Sequence, residues 1–472
     1  MPGIKDQIKF GTDGWRGVIS DNFTFENVRI VAQAMADWVN RDLKVKPGQL
    51  RKRVAVGYDT RFLSAEYAEI VACVLAANGI EVHLSDRSIP TPALSYGVVN
   101  LKGVCGVMIT ASHNPGKFNG IKIKTDKGGG AANDITKKVE ANLGLNLVKT
   151  IDVKKAKAQK SVIMHDYTKS YIAFLRKYLD LKTIKSARFK ILTDVMHGSG
   201  GRLMEEILKG TKLRLTLTRE DVNPIFDGLK PEPIAEYVAG SLQRVKKEKF
   251  DIGLILDGDA DRIGAIAPGG EFVNPQRILG LIILHLYRNR GRRGGIVKTI
   301  CGTTMLDNIA RKLKLKLHET PVGFKYISDL MVSERVIAGG EEAGGVGVQD
   351  YIPERDGSLA GLLLVEMMVY NKKNLKQLLA EMEKEFGRYY YLRSDAHLGD
   401  KPADLSKFKA VSAILGKKVV DRKDYDGLKL ICEDESWVMW RPSGTEPLVR
   451  VYAEAKSLKR AQELIKFGET AF

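Results

Sequence analysis

The chain has 472 residues, 44% of them apolar, and a formal net charge of +18. This length exceeds what one hydrophobic core supports and predicts three or four domains, while no apolar run reaches the ~18 residues that a membrane span requires. The positive charge is scattered in short runs such as residues 154–157, so it suits anionic small-molecule substrates as well as nucleic acid.

Cysteine usage and the first residues favour a cytoplasmic enzyme. The four cysteines lie far apart with no CxxC pair, which excludes that class of metal or redox site and argues against a disulfide scaffold. The N-terminal residues have no apolar stretch of the kind found in secretion signals. We expect partners that are small molecules, with no nucleic acid and no membrane.

The first third of the chain alternates helix and strand patterns. Apolar residues at helical spacing predict a helix around residues 28–39, and another is predicted at 64–78. A polar, lysine-rich segment at 148–161 has little to bury and predicts a connection to the next domain. Short β-branched runs predict strands at 53–57, 81–85 and 104–109. This alternation is typical of a layered α/β unit.

Two further units of the same kind follow, which suggests duplication. The second runs from a predicted helix at 167–181 to a strand at 252–256, and the third begins with a helix at 276–287. The last hundred residues differ and predict an α+β module, with helices at 375–386 and 458–466 and strands at 389–392, 437–440 and 449–452.

A polar string, Thr-Ala-Ser-His-Asn-Pro, follows the strand predicted at 104–109. Pro115 disfavours helix before it, and Asn119-Gly120 is a turn signal, so Ser112 is predicted on a loop at the end of a strand, where ligands gather in α/β sheets. Read alone, a loop serine more often bonds to nearby backbone than acts as a nucleophile. We interpret His113 as a loop or phosphate contact, because neighbours in sequence seldom form a nucleophile–base pair.

Three aspartates alternate directly after the strand predicted at 252–256: Asp257, Asp259 and Asp261. In an extended loop, alternate side chains point to one side, and three carboxylates so close are costly unless a cation neutralises them. Mg²⁺ suits an all-oxygen shell. A calcium loop would need Gly at its sixth position and Glu at its twelfth, where this chain has Arg262 and Pro268. The alternative is a solvated acidic turn.

Two more loops carry polar groups between strand signals. Residues 441–447 combine Arg441, two hydroxyls and a glycine, which would cradle a phosphate or form a plain β-turn. Residues 340–345 place two carboxylates between glycines, which suits sugar hydroxyls or an ordinary turn. Walker A, Rossmann and nucleophile-elbow strings are missing, so nucleotide-driven kinase and serine-hydrolase functions lose their usual support.

These four strings, with residues 10–17, resemble in content and order the α-D-phosphohexomutase family, which includes phosphoglucomutases and phosphomannomutases. The resemblance covers essentially the whole chain. It implies an α/β fold of four domains around a central cleft, three similar α/β units with mixed sheets and a smaller α+β C-terminal domain. We place these domains at residues 1–150, with Ser112; 151–262, with the three aspartates; 263–372, with the sugar-binding loop; and 373–472, with the phosphate-binding loop.

The resemblance also implies a mechanism. Phosphorylated Ser112 would pass its phosphoryl group to a hexose phosphate, and the hexose 1,6-bisphosphate would reorient and return its other phosphoryl group. Mg²⁺ beside phospho-Ser112 would be held by Asp257, Asp259 and Asp261. Lys122 matches the proposed general acid/base, with Arg16 and His113 beside it. The implied substrate-binding residues are Arg262, Lys325, Glu341, Arg441, Ser443, Gly444 and Thr445.

One departure from the family bears on the sugar. Many members carry Ser and His in the sugar-binding loop where this chain has Ala343 and Gly345. The string at 322–326 is closer to glucose-type mutases than to the glucosamine-type branch. We therefore expect a phosphoglucomutase, with a phosphomannomutase or dual-specificity mutase as the alternative. The competing hypotheses from different classes are a sugar-phosphate sensor without activity and a phosphatase. The protein is expected to be a monomer or homodimer.

Overall fold

A computed structural model describes residues 8–11, 14–397, 405–442 and 448–470. These residues form four sheets, each covered by helices, and the three α/β units and the C-terminal α+β unit predicted from the sequence are confirmed. Among the helices in these ranges, none combines the length and the apolar character that a membrane-spanning segment needs.

The first sheet has seven strands in the order β1-β2-β6-β5-β3-β4-β7. Strands β3, β4, β5 and β7 run parallel, while β6 lies antiparallel between β5 and β2. The strands are β1 (Phe10–Gly11), β2 (Gly14–Val18), β3 (Arg53–Tyr58), β4 (Glu81–Ser85), β5 (Cys105–Ile109), β6 (Phe118–Thr125) and β7 (Val162–His165). Its helices are Phe25–Asp42, Ser64–Ala77, Thr91–Asn100, Asn133–Ala141 and Val153–Ala158.

Strand β6 shows that the turn predicted at Asn119-Gly120 is wrong, because both residues lie inside a strand. Tertiary contacts override the turn signal. The Asn119 amide donates to Ser64 Oγ at 3.0 Å, and a Cβ on Gly120 would lie 2.7 Å from Thr110 O, so only glycine permits this close pairing.

The lysine-rich segment at 148–161 is not a free connection. Its helix Val153–Ala158 buries Ala156 in the first core, and β7 then pairs with β4. Only Ala156 of this short helix is buried, so the segment is a packed connection between the first two units. The first sheet continues past residue 150.

The second sheet has five strands in the order β12-β11-β10-β8-β9, with β8, β9 and β10 parallel. They are β8 (Lys190–Asp194), β9 (Arg214–Thr218), β10 (Ile252–Leu256), β11 (Ile263–Ala267) and β12 (Glu271–Val273). The helices of this unit are Tyr167–Tyr178, Leu181–Ile184, Leu203–Leu208 and Ala239–Lys247. Every residue of β10 is buried, as expected for a strand covered on both faces.

The third sheet has the order β14-β13-β15-β16, with β13, β14 and β15 parallel. Its strands are β13 (Gly295–Thr299), β14 (Leu317–Thr320), β15 (Val336–Gly340) and β16 (Val346–Val348). The accompanying helices are Pro275–Leu284, Thr304–Leu313, Phe324–Ser333, Gly357–Asn371 and Leu375–Phe386. The helix Gly357–Asn371 is buried over most of its length because it packs against strands of both the second and third sheets.

The fourth sheet is antiparallel, with the order β17-β22-β21-β20-β19-β18 and its own core. Its strands are β17 (Tyr390–His397), β18 (Ala413–Ile414), β19 (Lys417–Lys423), β20 (Leu428–Cys432), β21 (Trp437–Pro442) and β22 (Leu448–Ala455), and its helices are Ser406–Lys409 and Leu458–Glu469. The sequence analysis missed β18 to β20, since the exposed face of β19 is rich in lysine.

The sheets and helices extend beyond the domain ends predicted at residues 150, 262 and 372. Strand β7 belongs to the first sheet, β11 and β12 belong to the second, and the helix Leu375–Phe386 packs against helices of the third unit. We propose domain ends after His165, Val273 and Phe386 instead.

Candidate active site

Three loops follow parallel strands of the first three units. The serine loop (residues 110–117) follows β5, the metal loop (257–262) follows β10, and the sugar loop (341–345) follows β15. Each lies at the carboxyl end of its strand, which is the edge where α/β sheets bind ligands.

Ser112 is placed as predicted, on the loop after β5, and it is almost fully buried. Its hydroxyl donates to Asp257 Oδ2 at 3.0 Å, and its backbone N–H donates to Thr110 Oγ1 at 2.9 Å. The φ angle of Ser112 is 53°, in the left-handed region. The serine loop of the first unit therefore meets the metal loop of the second through the serine oxygen.

Asp257, Asp259 and Asp261 are all inaccessible to solvent, and each offers one carboxylate oxygen within 4.8 Å of the other two. Lys122 Nζ donates to Asp259 Oδ2 at 2.8 Å and to Asp261 Oδ2 at 3.0 Å. Thr91 Oγ1 also donates to Asp259 Oδ2, at 2.5 Å. The second oxygens, Oδ1 of Asp259 and of Asp261, have no hydrogen-bond partner in the part of the chain that the structure describes.

Buried carboxylate oxygens without partners are costly unless a cation takes their lone pairs. The donor set is all oxygen and converges, so the residues present fit a divalent ion such as Mg²⁺. Electrostatics point the same way. Burial, and then the charges of Asp261 and Asp259, raise the pKa of Asp257 well above its usual range. Burial opposes ionisation of Asp259 too, but Lys122 lowers its pKa.

Lys122 lies on β6, opposite Met108 of β5, and only 2% of it is exposed. It reaches the carboxylates because β6 runs beside the strand that carries the serine loop. Arg16, on β2, pairs with Gly120 of β6 and donates from Nη1 to Asn114 Oδ1 at 2.8 Å. The structure thus brings two predicted cations to the two sides of the serine loop.

His113 lies beside these cations. Its pKa is lowered well below the usual value, first by burial and then by the charges of Arg262, Arg16 and Lys122. A neutral imidazole donates one hydrogen bond and accepts another but adds no fixed charge. The role of His113 as a contact residue stays a prediction.

Arg262 lies where the metal loop meets the sugar loop. The Arg262 backbone N–H donates to Asp257 Oδ1 at 3.0 Å, and its guanidinium Nε lies 3.9 Å from oxygens of Asp257 and Asp261. The next amide, Ile263 N, donates to Gly344 O at 3.0 Å. Burial raises the pKa of Glu341.

Arg355 is a site residue whose role the sequence analysis missed. Its Nη1 donates to Glu341 Oε2 at 2.9 Å and its Nη2 donates to Asp261 Oδ2 at 2.8 Å, so one guanidinium bridges the two loops. A Cβ on Gly345 would lie 2.2 Å from Arg355 Cδ. The space that a side chain at position 345 would need is therefore filled by Arg355.

Lys325 is held by another unit, whereas Arg441 is held within its own. Lys325 Nζ donates to Asn133 Oδ1 of the first unit at 2.6 Å, and Arg441 Nε donates to Asp426 Oδ1 at 3.0 Å. Asp426 also accepts from Val322 N of the third unit at 2.7 Å. The remaining predicted phosphate-binding residues, Ser443, Gly444 and Thr445, lie outside the described residues.

Family models for phosphoglucomutase/phosphomannomutase match the chain in four pieces: alpha/beta/alpha domain I at residues 7–146, domain II at 169–270, domain III at 274–386 and the C-terminal domain at 396–467. A phosphoglucomutase/phosphomannomutase of Thermococcus kodakarensis is 30% identical over 462 residues, which cover 97% of each chain. A probable phosphoglucosamine mutase of Methanosphaera stadtmanae is 29% identical over 474 residues, again 97% of each. A crystal structure of a putative phosphomannomutase from Thermus thermophilus is 32% identical, with a TM-score of 0.87 over 98% of both chains.

Proposed function

This chain belongs to the phosphoglucomutase/phosphomannomutase family of phosphotransferase enzymes, and we propose that it interconverts glucose 1-phosphate and glucose 6-phosphate through phospho-Ser112 and glucose 1,6-bisphosphate. The observation that carries this proposal is the contact of Ser112 Oγ with Asp257 at 3.0 Å, beside a lysine held between two further aspartates. A nucleophilic oxygen, convergent carboxylates and cations are the groups that phosphoryl transfer needs.

In the first half-reaction, the free hydroxyl of the hexose phosphate attacks the phosphorus of phospho-Ser112. The new P–O bond forms to the sugar and the bond to Ser112 Oγ breaks. We assign Lys122 Nζ, as a neutral amine, to take the proton of the attacking hydroxyl and to pass it to the departing Ser112 Oγ. In the second half-reaction, Ser112 Oγ attacks the phosphoryl group at the other end of the bisphosphate, and its proton passes through the same amine to the departing sugar oxygen, so enzyme and protons are restored.

Charge control in both halves comes from this chain's own cations. Arg16, bonded to Asn114, and Arg262, beside Asp257, would neutralise the transferring phosphoryl group. Mg²⁺, held by Asp257, Asp259 and Asp261 together with a phosphate oxygen on Ser112, would add further neutralisation of that charge. Because Ser112 is 1% exposed, water is kept from competing as the acceptor.

The rest of the substrate is assigned to the outer units. Glu341 would accept from sugar hydroxyls, and Lys325 would contact the substrate from the third unit. The phosphate that is not reacting would be held by Arg441, Ser443, Gly444 and Thr445. Reorientation of the bisphosphate exchanges the two phosphates between this cradle and Ser112, which explains why one site serves both ends of the sugar.

Replacement of the nucleophile tests the proposal. We expect Ser112→Ala to abolish interconversion, to keep sugar-phosphate affinity within about threefold, and to remove the mass increase of one phosphoryl group that wild type gains with glucose 1,6-bisphosphate. Interconversion by this variant would contradict the mechanism. Inorganic phosphate released faster than isomers interconvert would instead identify a phosphatase, and binding without turnover in wild type would identify a sensor.

The choice of glucose is supported by the string at residues 322–326, while Arg355 fills the space beside Gly345 in the sugar loop. Names among the relatives include mannose and glucosamine mutases, so the sugar must be measured. We expect kcat/KM for glucose 1-phosphate to exceed that for mannose 1-phosphate and glucosamine 1-phosphate by about tenfold. A higher value for mannose 1-phosphate would reverse the assignment.

A further inference from the structure

The backbone of the serine loop adopts a conformation that its own sequence does not favour. Ser112 has a left-handed φ of 53°, which a residue with a Cβ keeps only where the surroundings impose it. Three carbonyl oxygens of this loop, and that of Phe118 at the start of β6, converge on a single guanidinium, that of Arg61. Its Nη2 donates to Ser112 O at 2.7 Å and Asn114 O at 2.6 Å, and its Nη1 donates to Pro115 O at 2.9 Å and Phe118 O at 3.0 Å.

Arg61 is itself fixed from several sides. Its Nε lies 3.2 Å from Asp59 Oδ2, and neither side chain has any solvent exposure. Asp59 Oδ2 also accepts from Thr110 Oγ1 at 2.5 Å, and its Oδ1 accepts from Ser64 Oγ at 2.9 Å. Thr110 in turn accepts from Ser112 N, so the network returns to the serine.

The second unit closes this arrangement. The ring of Phe226 lies over the guanidinium, with Arg61 Cζ 4.9 Å from the ring centroid. Phe226 is buried and has a left-handed φ of 54°. A cation–π contact of this kind is strengthened where water is excluded. Arg61 therefore lies between the serine loop of the first unit and a loop of the second unit, the unit that also carries Asp257.

We propose that Arg61 is a positioning residue for phosphoryl transfer, which holds Ser112 Oγ against the metal loop without touching substrate. The proposal rests on the proposed function, because it takes Ser112 as the phosphoryl carrier. The terminal N–H groups of Arg61 are directed at backbone carbonyls and its side chain is inaccessible, so it acts through Ser112. A planar fork of donors makes this set of bonds possible, and a lysine ammonium cannot reproduce it.

The test compares Arg61→Lys with Arg176→Lys. Arg176 is a matched control, since its Nη1 donates to three backbone carbonyls of the second unit, those of Glu206, Ile207 and Lys209. For Arg61→Lys we expect kcat to fall about 100-fold, as for a displaced reacting group, with KM for glucose 1-phosphate changed less than threefold. Arg176→Lys should keep kcat within about twofold.

A second readout does not depend on activity. Hydrogen–deuterium exchange of the amides at residues 110–118 should become at least tenfold faster in Arg61→Lys and stay unchanged in Arg176→Lys. A retained kcat, a rise in KM alone, or unchanged exchange in the serine loop would overturn the proposal. If wild type neither gains a phosphoryl group nor interconverts isomers, the proposed function fails. The exchange measurement then still decides whether Arg61 holds the serine loop in place.

If circular dichroism shows that Arg61→Lys does not fold, the variant Thr110→Val is tested in its place. This variant removes the hydroxyl that joins Asp59 to the Ser112 amide while leaving the guanidinium in place. We expect kcat to fall at least tenfold, with faster exchange confined to the serine loop. Wild-type kcat and wild-type protection in Thr110→Val would overturn the proposal.

Discussion

Gly258 controls how closely the metal loop approaches Ser112. A Cβ at this position would lie 2.6 Å from Ser112 O and 3.2 Å from Pro231 Cγ. A carbon–oxygen contact of about 3.3 Å is already close, so Gly258→Ala must separate the two loops by roughly 0.7 Å. The obstacle is backbone, which cannot rotate away as a side chain would.

The consequence should appear in catalysis more than in folding. Displacement of reacting groups by about 1 Å lowers the rate up to ~100-fold. A single methyl group added to a packed site lowers the free energy of unfolding by typically about 1–3 kcal/mol. We expect Gly258→Ala to fold, to lose about 30- to 100-fold in kcat, and to gain its phosphoryl group from glucose 1,6-bisphosphate correspondingly slowly.

Gly201→Ala is the matched control, because a Cβ at Gly201 meets nothing within 4 Å. Its kcat should match wild type. The assay is isomer interconversion with excess bisphosphate, together with intact-mass measurement of Ser112 phosphorylation over time. A folded Gly258→Ala enzyme with kcat within threefold of wild type would refute the claim that the Ser112–metal loop distance is limiting.

Two further predictions concern the metal and a buried lysine. Mg²⁺ should raise the Tm of metal-free wild type, since an ion at 100 times its Kd stabilises the folded state by about 2.7 kcal/mol. The Tm of Asp261→Asn should rise much less. Equal rises in Tm, measured by scanning calorimetry, would place the ion elsewhere. Burial, and then the charge of Lys298, lower the pKa of Lys429 to about 7 from its usual 10.5. Between pH 7 and pH 10.5, Lys429 is protonated in the unfolded chain and neutral in the folded protein, so the free energy of unfolding rises with pH. The increase in Tm from pH 7 to pH 9 should therefore be larger in wild type than in Lys429→Met. An identical increase in the two proteins would show that Lys429 stays charged where it donates to Ile300 O.

Much of the candidate site was visible in the sequence because its signals are local. Strands β5 and β10 are short runs of apolar residues, and each polar string that follows them starts where the strand ends. The rule that ligands gather at such ends placed Ser112 and the three aspartates each at the end of a strand, and the family resemblance implied that they share one site. The same rule also applies to Asp59 and Arg61, which directly follow β3, but their string contains no known motif and was passed over.

Other features had no local signal at all. Strand β6 carries Lys122 to the aspartates although its first residues are typical of a turn, and β7 completes a sheet directly after a segment typical of a linker. In both, pairing with distant strands outweighs the local preference, since backbone hydrogen bonds and burial count more than turn propensity.

The amino-acid sequence by itself determined the order of the units, their α/β or α+β character and the chemistry of the loops, because these depend on spacing and composition along the chain. Tertiary structure alone decided which charges meet. Lys122 lies between Asp259 and Asp261, and Arg355 joins Asp261 to Glu341. Three of these four pairs are 94 to 139 residues apart in the chain. Such pairs form because buried charges require partners, and the folded arrangement of the four units determines which partner lies within reach.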